Sequence, residues 1–510
     1  MNRVSTSVAC RCARARWLAC LLLLCSAVPA SAQQWHDHPY WERAADIPVS
    51  GRPVPELSWI DEEVQEFMAT RSIPAGQVAV ALNGRVVFMK GYGHNFSRQA
   101  LPENAPFRQA SISKPITAAA IQHLIGRGLL SLEDFAFDRG QQVQVGQNLI
   151  TVGGILPSPR YAAFGTPTAR FEEIRVRHLL QHTSGLRTAN EPGDHAFQDR
   201  LIAEEMGVPS PPGRVNMVRW VQGKALHCAP GTCERYSNIG YLVLGEIVET
   251  VSGLSVEQYV RTHILTPQKG VPVTELYGAR SFRSQQSPRE PYYKTLNASP
   301  ANATGPQMVD NVFDNQGPAE VERAYGGHNY EDSIAFGGFV ASPAVLLAFG
   351  NEYQLGLGTP IGAAVNQAGF GGSLPGHETI LMQEEVPGAG RLVVYVAFNF
   401  RPAQSWNFHH GHWPSDMVNA LLPTLRLQAP NTNFPWPATT SDGFWTQPGA
   451  ELIAGVGGYN APFRGFQRML NQTTAGSRIR LKPGSQNWTG VLDRPMVIDA
   501  PEGAATLGLQ

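Results

Sequence analysis

The spacing of apolar residues predicts a helix and a hairpin in the first part of the chain. From Ile60 to Arg71 the apolar positions recur at helical spacing. The stretch VAVALNGRVVFMKGYG then alternates in polarity on both sides of Asn83-Gly84, a dipeptide typical of two-residue hairpin turns. We therefore expect an amphipathic helix that leads into an antiparallel hairpin.

A second pair of strands is predicted much later in the chain. The stretches HETILMQEEV and RLVVYVAFNF flank a turn at 387–390, and PSDMVNALLPTLRL follows as a capped helix. Between the two hairpins the pattern is mostly helical, with loop-rich stretches around 141–169 and 281–315. This order predicts an α/β fold, in which one antiparallel sheet is assembled from distant parts of the chain and flanked by helices.

The two ends of the chain differ from this region in composition. Residues 1–32 combine an arginine-rich head, an apolar run from Trp17 to Val28 and the small residues Ala30-Ser31-Ala32, the pattern of a cleaved signal peptide. The run is too short to span a bilayer, so we expect a periplasmic or secreted protein without stable membrane insertion. The main domain would occupy 33–428, and 429–510, rich in Pro, Asn, Thr and Trp, would be a β-rich extension or a small accessory domain.

The charge and the cysteines narrow the class of protein. The formal net charge is −1, and because the signal peptide holds four arginines and no acidic residue, the remaining chain is slightly acidic. Without basic runs it offers little attraction to nucleic acid or anionic lipid. Beyond the signal peptide only Cys228 and Cys233 remain. In an oxidising compartment they form either a disulfide, which we expect, or two buried thiols.

The stretch RQASISKPITAAA raises a chemical possibility, because it places Ser111 three positions before Lys114 at the start of a helix. Side chains at this spacing lie on the same helix face. If the lysine is buried, its ammonium loses solvation, its pKa falls and the neutral amine can take the serine proton. The spacing alone is a weak signal because serine is also a common N-cap. The choice of Lys, in a chain whose basic residues are mostly Arg, strengthens it.

A second element, CERYSNIGYLVLGEIVE, places Tyr236 and Asn238 on either side of a serine at the start of another amphipathic helix. A tyrosine hydroxyl that reaches the same pocket can relay protons to a leaving group. An asparagine can hold both a lysine and a substrate carbonyl. Tyr-x-Asn alone is common, and it becomes informative only in this order after Ser-x-x-Lys.

These elements resemble the serine β-lactamase-like hydrolases, and within them the branch of class C β-lactamases, D-alanyl-D-alanine peptidases and related esterases. Five stretches carry the resemblance over roughly residues 57 to 425: FRQASISKPITAAAIQHLIGRGLLSLED, IRVRHLLQHTSGLR, PGTCERYSNIGYLVLGEIVE, AFGGFVASPAVLLAF and GFGGSLPGHETIL. The resemblance implies an α/β domain and an all-helical domain with the site between them. It implies that Ser111 is the acylated nucleophile and that Lys114 is the proton partner of Ser111. It also implies that Tyr236 acts as general base or acid and that Asn238 is a positioning group.

The third motif of that family is altered in this sequence. The family places Lys or His, a small residue and Gly on the strand that lines the pocket, whereas this chain has Phe370-Gly371-Gly372. Some esterases of the family also carry an aromatic residue there. We expect weaker binding of anionic β-lactams, while the backbone amides of Ser111 and Ser373 still form the oxyanion hole. His377 is a remote candidate for the missing cation, because a strand and a turn separate it from Phe370.

Metal and cofactor chemistry is not expected. His178 and His182 have the i, i+4 spacing of a metal pair, but the resemblance makes them structural. The stretch HHGHW, with His409, His410 and His412, has no acidic or cysteine partner nearby and is expected to be a solvated loop. The sequence also lacks a Gly-x-Ser-x-Gly elbow and a phosphate-binding glycine loop.

Together these observations predict a secreted serine hydrolase that acts through an acyl-enzyme on a small ester, amide or peptide substrate. The alternative is a non-catalytic binding protein that retains the penicillin-recognising fold, suggested by Phe370, the long loops and the C-terminal segment. We favour the enzyme, because a decayed site is not expected to keep Ser111, Lys114, Tyr236 and Asn238 together. The sequence does not indicate an oligomeric state.

Overall fold

The computed structural model describes residues 43–95, 98–138, 141–145, 148–186, 194–265, 275–296, 305–356, 366–401 and 413–431, and short segments between 444 and 507. The predicted signal peptide lies outside the described residues, and so does most of the predicted C-terminal extension. The boundaries predicted between these parts therefore stay predictions.

Nine α-helices occur among the described residues. In chain order they are α1 (Ser58–Arg71), α2 (Ser113–Gly126), α3 (Val176–Leu180), α4 (Asp199–Met206), α5 (Arg214–Val221), α6 (Asn238–Ser252), α7 (Val256–Tyr259), α8 (Pro343–Glu352) and α9 (Trp413–Gln428). Two 3₁₀ turns, Ala110–Ile112 and His195–Phe197, matter for the site.

The strands of the described residues fall into one large sheet and several small ones. In chain order they are β1 (Val49–Ser50), β2 (Ala75–Leu82), β3 (Arg85–Gly93), β4 (Phe107–Arg108), β5 (Gln141–Val145), β6 (Asn148–Val152), β7 (Leu276–Gly278), β8 (Met308–Asp310), β9 (Glu320–Glu322), β10 (Phe339–Ala341), β11 (Gln367–Leu374), β12 (His377–Val386), β13 (Gly390–Phe398), β14 (Phe444–Gln447), β15 (Phe463–Arg464), β16 (Arg478–Leu481), β17 (Gly484–Gln486), β18 (Val497–Asp499) and β19 (Ala505–Leu507).

The large sheet has the strand order β1-β3-β2-β13-β12-β11, and every neighbouring pair is antiparallel. Its centre joins β2, from the first hairpin, to β13, from the second. The first hairpin turns at Asn83 and Gly84, whose φ angles of 50° and 75° suit these two residue types. This arrangement confirms the predicted sheet, assembled from distant parts of the chain and flanked by helices.

Both faces of this sheet are buried, because helices cover each of them. Successive strand residues point to opposite faces, so the two faces use alternate positions. Val78, Val80, Val394 and Val396 pack with the buried residues of α1 and α9. Ala79, Ala81, Val393 and Tyr395 pack with the buried residues of α8 and with the larger core that includes α2 and α6.

The structure corrects the expectation that α6 is amphipathic. Every residue from Asn238 to Val248 is buried. Glu246 is 1% exposed and is held by Arg214 at 2.8 Å and by the Tyr161 hydroxyl at 2.7 Å. The helix is therefore a central core helix whose buried Glu246 is paired with groups of neighbouring elements.

One expectation about an irregular region is wrong, and another agrees with the described residues. The stretch expected to be loop-rich from residue 141 contains an antiparallel hairpin, β5–β6. The C-terminal strands are short, as expected, and β14, β15, β16 and β18 pair in parallel. Within the described part of the chain no single helix is long and apolar enough to cross a bilayer. One pair bent by 68°, Asn238–Ser252 with Val256–Ile264, meets the length and composition criteria only when its two helices are taken together.

Helix α9 offers a direct test of the core on the sheet face that packs against α1 and α9. Leu421 is fully buried there, whereas Leu427 on the same helix is 79% exposed. We expect Leu421→Ala to lower the free energy of unfolding by about 2–5 kcal/mol through lost burial and a cavity, and Leu427→Ala by under about 0.5 kcal/mol. Urea unfolding of the two variants measures both values. Equal losses would contradict this packing.

Candidate active site

Ser111 lies in the 3₁₀ turn Ala110–Ile112, between strand β4 and helix α2. The preceding residue, Ala110, has a φ of 47°, in the left-handed region that residues other than glycine rarely adopt. The Gln109 amide anchors the turn by donating to the Phe339 carbonyl at 2.7 Å. The side chain of Ser111 is partly exposed, so the hydroxyl is presented at the surface of a buried framework.

Lys114, in the first turn of α2, brings its amine to this hydroxyl. Its Nζ lies 3.1 Å from Ser111 Oγ, 2.6 Å from Asn238 Oδ1 and 2.8 Å from the Phe336 carbonyl oxygen. The residue is fully buried. Burial lowers the pKa of the Lys114 amine well below its usual value of 10.5, and the charge of Asp194 partly opposes this.

The three contacts define how a neutral Lys114 amine would be oriented. A neutral primary amine has two N–H donors and one lone pair. The Asn238 and Phe336 oxygens can only accept from it, so they take both donors. The lone pair is then left for the third neighbour, the Ser111 hydroxyl. This arrangement can receive a proton from Ser111.

Tyr236 approaches Ser111 as well. Its hydroxyl donates to Ser111 Oγ at 2.7 Å. Burial raises the pKa of the Tyr236 phenol above its usual value of 10.0, and the hydrogen bond to Ser111 opposes part of this shift. The phenol therefore keeps its proton at neutral pH and is a donor in the resting site.

The turn that carries His182 holds Tyr236 in place. The His182 ring packs on the Tyr236 ring with centroids 4.6 Å apart, and its Nδ1 accepts from the Ser237 amide at 3.0 Å. Burial, and then the charge of Lys114, lower the pKa of His182 to about 3, so it stays neutral. The segment before Tyr236 contains the Cys228–Cys233 disulfide, with Cα atoms 6.3 Å apart.

Asn238 connects Lys114 to a residue that the sequence motifs did not include. Its Oδ1 accepts from Lys114, and its Nδ2 donates to Asp194 Oδ2 at 2.7 Å. Asp194 precedes the 3₁₀ turn His195–Phe197, and its Oδ1 accepts from the Ala196 amide at 3.0 Å. From the sequence alone, an Asp at this position indicates no more than the cap of a short turn. No sequence motif therefore linked Asp194 to Ser111. The Phe336 carbonyl was missed because a backbone group leaves no side-chain signature.

Strand β11 forms the edge of the large sheet beside the Ser111 turn. Phe370 pairs with Leu381 and Gly372 with Thr379, whose hydroxyl donates to the Gln109 carbonyl at 3.0 Å. Alternation along the strand therefore turns Phe370 and Gly372 toward the Ser111 side, and Gly371 and Ser373 toward the other face. Phe370 is half-buried. The oxyanion role of the Ser111 and Ser373 amides stays a prediction.

Neither His377 nor His178 contacts Ser111 or Lys114 in the structure. His377 is fully buried, its Nδ1 bonds the Pro375 carbonyl at 3.3 Å, and burial lowers its pKa well below 6.5, so it does not replace the missing cation. His178 Nδ1 accepts from the Arg175 amide at 3.1 Å. In the described ranges no group of three or more His, Cys, Asp or Glu side chains could hold a metal ion. His409, His410 and His412 lie outside those ranges.

Comparison with known proteins gives the family relationship of this chain. The family model described as Beta-lactamase matches residues 60–415 of the chain. Among curated proteins, the chain is similar to Protein flp of Staphylococcus aureus (strain MW2), with 28% identity over 211 residues. That match covers 41% of this chain and 36% of Protein flp, so the chain spans just over a third of the length of this relative.

Two solved structures are also similar to this chain. D-amino acid amidase from Ochrobactrum anthropi SV3, complexed with L-phenylalanine, matches at 17% identity and a TM-score of 0.48, over 72% of this chain and 99% of that chain. Beta-lactamase/D-alanine carboxypeptidase from Yersinia pestis, complexed with citrate, matches at 18% identity and a TM-score of 0.46, over 73% of this chain and 99% of that chain.

The close approach of β11 to the Ser111 turn can be tested at Gly372. A Cβ there would overlap the Gln109 carbonyl oxygen and lie 2.5 Å from Thr379 Oγ1. We expect Gly372→Ala to push the strand away and to slow modification of Ser111 by an activated ester about 100-fold, since displacements of about 1 Å cost that much. The measurement is the modification rate by mass spectrometry.

Gly369→Ala is the matched control on the same strand, because its Cβ would meet its nearest atom, the Leu381 carbonyl oxygen, at 3.7 Å. That variant should react at the wild-type rate. A Gly372→Ala protein that folds and reacts as fast as Gly369→Ala would show that the strand does not shape the site.

Proposed function

The chain belongs to the Beta-lactamase family, and we propose that it is a serine hydrolase that cleaves a small ester or amide through an acyl-enzyme on Ser111. One observation carries this proposal. Ser111 Oγ lies 3.1 Å from the buried Lys114 amine and 2.7 Å from the Tyr236 hydroxyl, so a proton acceptor and a proton donor both contact the same oxygen.

In the proposed acylation step Ser111 Oγ attacks the substrate carbonyl carbon. The new C–O bond forms as the serine proton passes to the lone pair of Lys114. The tetrahedral oxyanion would be held by the backbone amides of Ser111 and Ser373. When the bond to the leaving group breaks, the leaving oxygen or nitrogen takes the Tyr236 proton, so the acyl-enzyme holds a Tyr236 phenolate and a Lys114 ammonium. In deacylation the phenolate takes a proton from the attacking water, and the ammonium returns its proton to Ser111 Oγ as the acyl–oxygen bond breaks.

This assignment of base and acid follows from the opposite pKa shifts of the two groups. Burial favours the uncharged form of each, which makes Lys114 a base and keeps Tyr236 a phenol. The sequence left open whether Tyr236 acts as base or acid, and these shifts favour the acid in acylation. In deacylation a water would attack the ester carbonyl with the same groups in reverse roles.

The substrate is proposed to be uncharged at the position that faces Phe370. A phenyl ring on the Ser111 side of β11 supplies apolar contact and no charge for a carboxylate. This supports a neutral ester or small amide over a β-lactam or a peptide that ends in a carboxylate. The predicted export of the protein also stays a proposal, supported by the Cys228–Cys233 disulfide, which persists in oxidising compartments.

The nucleophile is tested by covalent labelling. A fluorophosphonate should add one adduct to the intact protein, because Ser111 Oγ displaces fluoride from phosphorus. Ser111→Ala should abolish the adduct, whereas Ser131→Ala, at an exposed serine that caps a turn, should keep it. Intact-mass spectrometry measures both. A folded wild-type protein that takes no adduct would favour the non-catalytic binding alternative, and undiminished labelling of Ser111→Ala would show that another residue reacts.

The role of Phe370 is tested by substrate choice. We expect turnover of a short-chain aryl ester to exceed that of a cephalosporin in wild-type protein. Phe370→Lys should raise kcat/KM for an anionic substrate about tenfold or more, as a charge-assisted contact of about 1.5–3 kcal/mol permits, and should lower kcat/KM for the neutral ester, which loses the apolar contact. Steady-state kinetics on both substrates decides this. No gain on the anionic substrate would contradict the proposed role of Phe370.

A further inference from the structure

We propose that Asp194 is a positioning residue for this site: it fixes the amide of Asn238 so that the carbonyl oxygen, and not the amino group, faces Lys114, and it supplies the negative charge that acts on the Lys114 amine. This inference rests on the proposed function, because it concerns the reactivity of Ser111.

The contacts of Asp194 are those of an ionised acceptor. The residue is 7% exposed. One carboxylate oxygen accepts from Asn238 Nδ2 at 2.7 Å, and the other accepts from the Ala196 amide at 3.0 Å. Two N–H donors, one on each oxygen, satisfy a carboxylate without any proton of its own. Asp194 is therefore held on one side by the backbone and points its other oxygen at Asn238.

This contact decides the orientation of the Asn238 amide. A carboxylate can only accept, so it selects the amino end of the amide, and the carbonyl end must then point to Lys114, where the distance is 2.6 Å. If the amide turned around, its oxygen would face the Asp194 carboxylate and its N–H groups would face those of Lys114. The contact between the amide oxygen and the carboxylate would be repulsive, and Asn238 is 6% exposed, so water has little access to compensate.

The orientation matters because it determines where the lone pair of Lys114 points. With the Asn238 and Phe336 oxygens occupying both N–H groups of the neutral amine, the lone pair meets Ser111. A turned Asn238 would offer N–H groups instead and would attract the lone pair to itself. Asp194 thus acts on Ser111 through Asn238 and Lys114 without touching it.

Asp194 also carries the charge in this part of the site. The titratable groups that act on or contact Lys114 are Asp194, His182, Tyr236 and Tyr241. His182 is neutral, since its pKa falls to about 3, and burial raises the pKa of both tyrosine phenols. Burial raises the pKa of Asp194, and the Ala196 and Asn238 N–H donors, followed by the charge of Lys114, oppose that rise. Because each of its two oxygens accepts from an N–H donor, we assign Asp194 as the carboxylate among these four groups. Its charge raises the pKa of Lys114 against the larger, opposing effect of burial.

The sign of the pH effect follows from this opposition. Lys114 must be neutral to take the serine proton, so the labelling rate of Ser111 rises as pH increases through the Lys114 pKa. Because the Asp194 charge raises the pKa of Lys114, its removal lowers that pKa. The acidic limb of the rate profile should then move to lower pH.

The experiment measures fluorophosphonate labelling of Ser111 against pH in three variants of the full chain. Asp194→Asn has one oxygen where the carboxylate has two, so it loses the charge and one of the two contacts. Asp194→Ser can still cap the Ala196 amide but is too short to reach Asn238. Asp46→Asn makes the same chemical change at an exposed carboxylate that pairs with Arg43 near α1.

We expect both Asp194 variants to label about tenfold or more slowly at the plateau, with the acidic limb shifted to lower pH, and Asp46→Asn to match wild type. Circular dichroism confirms folding, and if Asp194→Asn does not fold, Asp194→Ser, which keeps the turn capped, decides the matter. An unmoved acidic limb, or wild-type rates in Asp194→Ser, would reduce Asp194 to a cap and overturn the inference while leaving the proposed function intact. A wild-type protein without labelling would overturn both.

Discussion

The reactivity proposed for Ser111 depends on one constraint, the burial of the Lys114 amine in contact with the Ser111 hydroxyl. An ammonium ion is expensive to bury, and where its contacts do not fully compensate, the neutral amine is favoured. Here the contacts are two carbonyl oxygens and one hydroxyl, with the Asp194 carboxylate one residue further away. The fold thus favours the neutral form of the Lys114 amine, which can accept a proton. The fold also places the Ser111 hydroxyl, which can supply that proton, beside the amine.

Several distant parts of the chain must come together to create this environment. Ser111 and Lys114 lie at the start of α2, Asn238 begins the core helix α6, and Phe336 lies shortly before β10. Edge strand β11 closes the remaining side at Gly372, where a side chain has no room. Because the central strands and the core helices are packed on both sides, the surrounding structure can hold Ala110 at its φ of 47° and keep the Lys114 amine away from water.

Sequence patterns predicted the framework well, because strand alternation and the Asn83-Gly84 turn are local signals. They also singled out Ser111, Lys114, Tyr236 and Asn238, which the structure brings together, although the roles of these residues stay predictions. The burial of α6 was not predictable, since Glu246 suggests a polar face until Arg214 is seen beside it. Asp194 was missed for a similar reason: its partner, Asn238, is close only in the folded chain.

The most direct measurement of the central claim is the pKa of the Lys114 amine itself. In protein labelled with ¹³C at lysine Cε, each lysine gives a resonance that shifts as its amine titrates, and the resonance that Lys114→Arg removes identifies this one. We predict a midpoint well below 10.5 for that resonance. A midpoint at or above 10.5 in the folded protein would mean that Lys114 is an ordinary ammonium, and the proposed activation of Ser111 would be wrong.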